Sequence, residues 1–154
     1  MSQLSHEVEL LRRIPLFQGI EPKKLKLIAF TSDLAMFAPG DTIFRQGDVG
    51  DSAYLILAGE VAVLASSPVG EIELARLGAN EIVGEIGILC DMPRTATVRS
   101  LTPLKTLRIS KDCLAEMLDA FPAMARSMLR EMALRLSRTN AELVLSRSGS
   151  GSPV

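Results

Sequence analysis

From Leu34 to Ile109 no apolar run lasts long before a turn signal breaks it. The breaks are Pro39-Gly40-Asp41, Gln46-Gly47-Asp48, Gly50-Asp51, Ala58-Gly59-Glu60, Ser67-Pro68-Val69-Gly70 and Leu77-Gly78-Ala79-Asn80. Glycine and its polar companions supply the backbone angles that other residues resist. Many short strands, punctuated this regularly, predict an antiparallel sandwich or barrel. The flanks carry a different period. Leu4, Val8, Leu11 and Ile14 are spaced as one helix face, which Pro15 interrupts. Glu21-Pro22 opens a second short helix with Leu25, Ile28 and Ala29 on one side. After Ile109, Ser110 or Asp112 can cap a helix running to about Ala120, and Pro122 suits the first turn of another, running to about Leu145. The expectation is a mainly β protein with flanking helices. A chain of 154 residues that is 47% hydrophobic can bury one ordinary core, so one domain is expected over residues 1–145. Residues 146–154, rich in Ser and Gly, read as a disordered tail.

One stretch carries chemistry: Gly84-Glu85-Ile86-Gly87-Ile88-Leu89-Cys90-Asp91-Met92-Pro93-Arg94-Thr95-Ala96-Thr97-Val98. A glycine opens it, a short apolar run follows, an acid stands at the start and an arginine at the exit. Backbone N–H groups at a helix start favour an anion. Arg94 has a planar guanidinium that can donate two parallel hydrogen bonds to phosphate oxygens. An ionised Glu85 only accepts, so it suits a ribose hydroxyl and repels a phosphate. Acid and base nine residues apart can grip opposite ends of one ligand, a phosphate diester joined to a ribose.

This stretch resembles the phosphate-binding cassette of cyclic nucleotide-binding domains, found in catabolite-activator-type regulators, cyclic-nucleotide-gated channels and cyclic-nucleotide-dependent kinases. Pro39 to Asp48 is similar to the family's early strand and turn, and Asp51 to Val61 to its central hairpin. The resemblance covers roughly residues 10 to 140. It implies an antiparallel jelly-roll β-barrel with short N-terminal helices, a cassette helix and C-terminal helices. It also implies that Glu85 meets the ribose 2′-hydroxyl and Arg94 the cyclic phosphate, with Gly84, Ile86, Thr95 and Ala96 beside the ligand, Ala96 through its backbone. In the family, a hydroxyl after the arginine can contact a guanine amino group. Read alone, Thr95 is more simply a residue suited to the start of a strand, and that reading is preferred. Val83 stands where the family often has an aromatic, and Gly87 where it often has alanine or serine. The bound ligand expected is cAMP, or cGMP, with cAMP favoured.

Other classes fit less well. The net charge of −1 gives no basic footprint for nucleic acid. Arg126, Arg130, Arg135 and Arg138, interleaved with Glu131 and Glu142, read as the solvated face of the last helix. Leu129, Leu136 and Leu143 repeat every seven residues with Met132 between the first two, a seam that suits the pocket or a second copy of the chain. The seven methionines read as core and seam filler. Two cysteines, far apart, favour a reducing cytoplasm over a disulfide framework. The polar segment Met1 to Arg13 lacks a signal-peptide core, and no run of ~20 apolar residues spans a membrane. The lone histidine, His6, speaks against a metal-dependent enzyme of the cupin type, and no nucleophile sits beside a base. No metal and no catalysis are expected. The output is expected through an effector protein, a homodimer on the C-terminal helix, or chain beyond these residues. Two alternatives stay open: a degenerate domain used as a protein-interaction module, and a pocket repurposed for another nucleotide.

Overall fold

The computed structural model describes the backbone of residues 3–149 and the side chains of residues 8–145. Helix α1 (Gln3–Arg12), a 3₁₀ turn (Pro15–Phe17) and α2 (Pro22–Thr31) precede eight strands. These are β1 (Asp33–Phe37), β2 (Thr42–Phe44), β3 (Ser52–Ala58), β4 (Val61–Ser67), β5 (Gly70–Leu77), β6 (Ile82–Val83), β7 (Thr97–Ser100) and β8 (Leu104–Ser110). Helix α3 (Glu85–Leu89) lies between β6 and β7, and α4 (Lys111–Ala120) and α5 (Pro122–Gly149) follow the last strand. One sheet has the order β1-β8-β3-β6 and the other β2-β7-β4-β5. Every pairing is antiparallel, and neighbours are mostly non-consecutive, as a jelly roll requires. The strand-rich centre and helical flanks thus fall where the turn signals and helix spacings put them.

The local chemistry accounts for the helix starts. Pro22 occupies the opening of α2, where its missing N–H costs nothing. Of the two candidate caps for α4, Ser110 takes the role: its hydroxyl accepts from the Cys113 N–H at 3.1 Å. Leu25, Ile28 and Ala29 are all buried, the face their spacing gave them. Helix α5 continues to Gly149, four residues past the end expected near Leu145. Residues 150–154 of the expected tail lie outside the described residues.

Two cores share the first sheet. Between the sheets, Ile56, Val61, Leu77, Val83, Val98 and Leu104 pack together, joined by Phe37, Phe44 and Tyr54. On the sheet's outer side, Ala53, Leu55, Leu107 and Ile109 pack under the helices against Leu11, Phe17, Leu25, Leu114, Met124 and Met128. Strand β3 feeds both cores on alternate residues, which explains its nearly unbroken apolar run Ala53-Tyr54-Leu55-Ile56-Leu57. Strand β5, at the edge of the second sheet, is exposed along most of its length and carries Glu71, Glu73 and Arg76. Charge on an edge discourages pairing with another chain. Among the described residues no helix is long and apolar enough to cross a membrane.

The two-sided sheet makes a mutational contrast. Leu107 is 1% exposed and Ile72, on the edge strand, 46%. Leu107→Ala should cost about 2–5 kcal/mol by urea unfolding. Ile72→Ala should stay within about 0.5 kcal/mol. Equal losses would show that the helix-side core does not hold the sheet in place.

Candidate functional site

Short β6 ends at Gly84, whose φ of 83° turns the chain into the left-handed region before α3 begins. A side chain here would be strained, and a Cβ would also stand 2.6 Å from the Arg94 guanidinium. The chain then runs through α3 and returns by Pro93 and Arg94 into β7. This excursion brings the acid at the start of α3 and the base at its return to one cleft.

Arg94 is buried, 5% exposed. Its Nη1 donates to the Gly84 carbonyl at 2.8 Å and its Nη2 to the Ser52 carbonyl at 2.7 Å. The guanidinium lies 4.1 Å from the centre of the Phe44 ring, a cation–π contact. Its Nε is buried with no partner. The backbone is clamped as well: the Arg94 N–H donates to the Asp48 carbonyl at 2.8 Å, and the Gly47 N–H donates to the Arg94 carbonyl at 2.9 Å. The turn after β2 therefore rests on Arg94, and Gly50 meets the guanidinium with a bare Cα; a Cβ there would overlap it. Burial lowers the Arg94 pKa from its ordinary value, opposed by Tyr54, Asp51, Asp48 and Glu85.

Glu85 is 3% exposed. Its Oε1 accepts from Nη1 of Arg135, on α5, at 3.3 Å. Arg135 Nη2 donates to the Ile82 carbonyl at 3.1 Å, and its Nε is buried without a partner. Desolvation raises the Glu85 pKa above its ordinary value; its own backbone N–H, Arg135 and Arg94 pull the other way.

All six residues singled out from the sequence, Gly84, Glu85, Ile86, Arg94, Thr95 and Ala96, line one cleft. Thr95 is exposed, Ala96 buried and Ile86 partly exposed. Val83 is buried beneath them, and at Gly87 a Cβ would come within 3.2 Å of the Met92 carbonyl. The sequence reading missed Phe44, Val63, Leu77 and Arg135, which complete the lining. It also assigned Arg135 to a solvated helix face, which the structure corrects. Met124, Met128, Met132 and Arg135 follow one another at helical spacing on the inner side of α5, the first two buried and the others half-buried. That stripe was the available signal. The Leu129-Leu136-Leu143 seam points to solvent in the single chain rather than over the cleft.

The cleft is small, about 80 Å³, against about 300–1,000 Å³ for ordinary ligand pockets. Arg94 and Arg135 both stand in its lining. Beyond Arg135 lie a cavity of about 390 Å³ toward Pro15 and Asn80 and a groove of about 570 Å³ between β5 and α5.

The arrangement of jelly roll, cassette helix and buried acid–base pair defines a class. A family model described as "Cyclic nucleotide-binding domain" matches residues 35–121, and the chain belongs to that family. It is 32% identical over 136 residues to a CRP-like cAMP-activated global transcriptional regulator of Mycobacterium tuberculosis, a match covering 88% of this chain and 61% of the regulator. It is 35% identical over 109 residues to a cAMP-dependent protein kinase regulatory subunit of Blastocladiella emersonii, covering 70% of this chain and 27% of the subunit. Among solved structures it resembles the Thermus thermophilus catabolite activator protein, with a TM-score of 0.73 and 29% identity over 85% of this chain and 62% of that one. The chain thus spans about three-fifths of the transcriptional regulator it matches.

The buried carboxylate gives a stability test. The folded-state pKa of Glu85 lies above the ordinary 4.5, so ionising it costs more in the folded protein than in the unfolded chain. Its contribution is fully present below about pH 4.5 and is lost as pH rises through the folded value. Glu85→Gln does not titrate there. Its melting temperature relative to wild type should therefore rise between pH 4 and pH 7. A relative fall would mean that the Arg135 pair outweighs burial.

Proposed function

We propose that this domain is a regulatory sensor that binds a 3′,5′-cyclic nucleotide in the cleft between α3 and the second sheet, cAMP in preference to cGMP. One observation carries the reading: a single cleft gathers a buried carboxylate and a buried guanidinium on either side of a short helix start. Arg94 would turn its two donors from the Gly84 and Ser52 carbonyls to the exocyclic phosphate oxygens. Its unpartnered Nε and the Phe44 ring beneath it suit a group poised to exchange partners. Glu85 would accept from the ribose 2′-hydroxyl. Gly84, Ile86, Thr95 and Ala96 would border the sugar–phosphate, and Val63 and Leu77 offer apolar surface to the purine. No nucleophile or metal takes part, so the domain would bind and signal without catalysis, at work in the cytoplasm. The signal would leave through α5, repositioned against the barrel and read by an effector protein or a second copy joined along Leu129, Leu136 and Leu143.

The small cleft favours one other reading, a closed domain that serves as a protein-interaction module. Calorimetry with cAMP, cGMP and 5′-AMP separates the two. The sensor binds cAMP at least as tightly as cGMP and ignores 5′-AMP. The module binds none of them.

Two substitutions test the roles. Arg94→Lys keeps the charge and loses the two-pronged donor, and should weaken cAMP binding by ~1–3 kcal/mol. Unchanged affinity would remove Arg94 from the site. Thr95→Ala should leave cAMP binding intact, and a selective loss for cGMP would show that Thr95 reads guanine. Hydrogen exchange with and without cAMP should change most in residues 84–98 and 121–145. Change confined to the barrel would make α5 a static support.

A further inference from the structure

Among the described residues Arg135 alone borders the cleft, the cavity toward Pro15 and the groove along β5 together. It is the wall between them. Its guanidinium reaches inward from α5, bridges the Glu85 carboxylate and the Ile82 carbonyl, and leaves its Nε buried without a partner. Neither bond belongs to the helix itself. They tie the middle of α5 to the first residue of β6 and to the start of α3. One half-buried side chain therefore fastens the helix to the cassette at the carboxylate proposed to receive the sugar.

We infer that Arg135 is an internal stand-in for the ligand: it holds the donor position on Glu85 that a ribose hydroxyl would take, so that entry of a cyclic nucleotide and release of α5 are one exchange. The inference rests on the sensor reading above and adds what opposes binding and what carries the signal. A carboxylate can accept from more than one donor, so the competition comes from space rather than from the valence of Glu85. With the Arg135 guanidinium standing in its wall the cleft keeps only about 80 Å³ of free space, well short of the roughly 300–1,000 Å³ of an ordinary ligand pocket, so a sugar needs the room that Arg135 takes. When Arg135 withdraws, the cleft opens into the neighbouring cavity and groove, which gives room for a ribose and a purine. Glu85 exchanges one donor for another and is never left buried and unpaired, which would be costly. The groove beside β5, lined also by Arg76, Glu73 and Glu142, offers carboxylates to receive the displaced guanidinium.

The test uses the whole chain and cAMP as the probe. Arg135→Ala removes the competitor and should tighten cAMP binding by about two- to tenfold, the range for a partly buried ion pair. A contact to the ligand would weaken binding instead, and a merely structural residue would not improve it. In the Glu85→Gln background the same substitution should gain less than half as much, because the contact it removes is already weakened. Arg135→Lys, which keeps the charge but cannot bridge both acceptors, should fall between wild type and Arg135→Ala. Ligand-free Arg135→Ala should also show the hydrogen exchange across residues 128–142 that wild type shows only with cAMP. Weaker binding, or unchanged binding with unchanged exchange, overturns the inference. Arg94→Lys in the Arg135→Ala background keeps the two questions apart. If it abolishes the binding that Arg135→Ala leaves weaker than wild type, the sensor reading stands and only the competition fails. If neither wild type nor Arg135→Ala binds any cyclic nucleotide, the sensor reading itself fails and this inference falls with it.

Discussion

The buried guanidinium of Arg94 is the contact around which the site is built. Its two carbonyl partners come from the end of β6 and the start of β3, its ring partner from β2, and its backbone partners from the turn after β2. The stretch from β2 to the start of β3 and the end of β6 therefore meet on one residue, its side chain and its backbone both engaged. A charge in that position is tolerated because oriented carbonyl dipoles and an aromatic face replace water. The glycines at positions 50 and 84 follow from it: any side chain at either would collide with the guanidinium.

This arrangement links stability to recognition. The carbonyls that satisfy Arg94 are backbone groups of the barrel rim, so reorienting the guanidinium disturbs the rim locally and leaves the ladders alone. The first sheet resists change because it is buried on both faces, with Leu107 and Ile109 under the helices and Ile56 and Leu104 inside the barrel. Sheets packed on two sides have little freedom to slide, since a one-residue slip would turn every apolar residue to the wrong face. Motion is left to the parts held by a few polar contacts.

The sequence made the barrel legible because its turns are written in glycine, proline and aspartate, and because β3 carries a run apolar enough for two cores. It made the acid and base of the cassette legible because they lie nine residues apart in one segment. It did not disclose the lining drawn from elsewhere. Phe44 and Leu77 come from strands that reach the cleft only through sheet pairing, and no local pattern announces a partner that distant. Arg135 was hidden by its neighbours: in a row of arginines mixed with glutamates, charge alone marks a wet face. Its place on the methionine stripe marks it as inward, but a long polar side chain can follow an apolar stripe and still deliver its head to a carboxylate. The end of α5 was misjudged for a related reason, since Ser and Gly lower helix propensity without forbidding another turn.

Helix α5 meets the core through its own Met124 and Met128, in one cluster with Met117 of α4, whose sulfur lies 3.7 Å from Cys113 Sγ. Unbranched thioether chains change rotamer at little cost and refill the gaps they leave. The walls of the barrel, rich in Val, Ile and Leu, have few alternative packings. The molecule is thus stiff where it holds its shape and compliant where the long helix rests. A force applied at the cassette meets a hard support on the strand side and a soft bearing on the helix side, so displacement is channelled along α5.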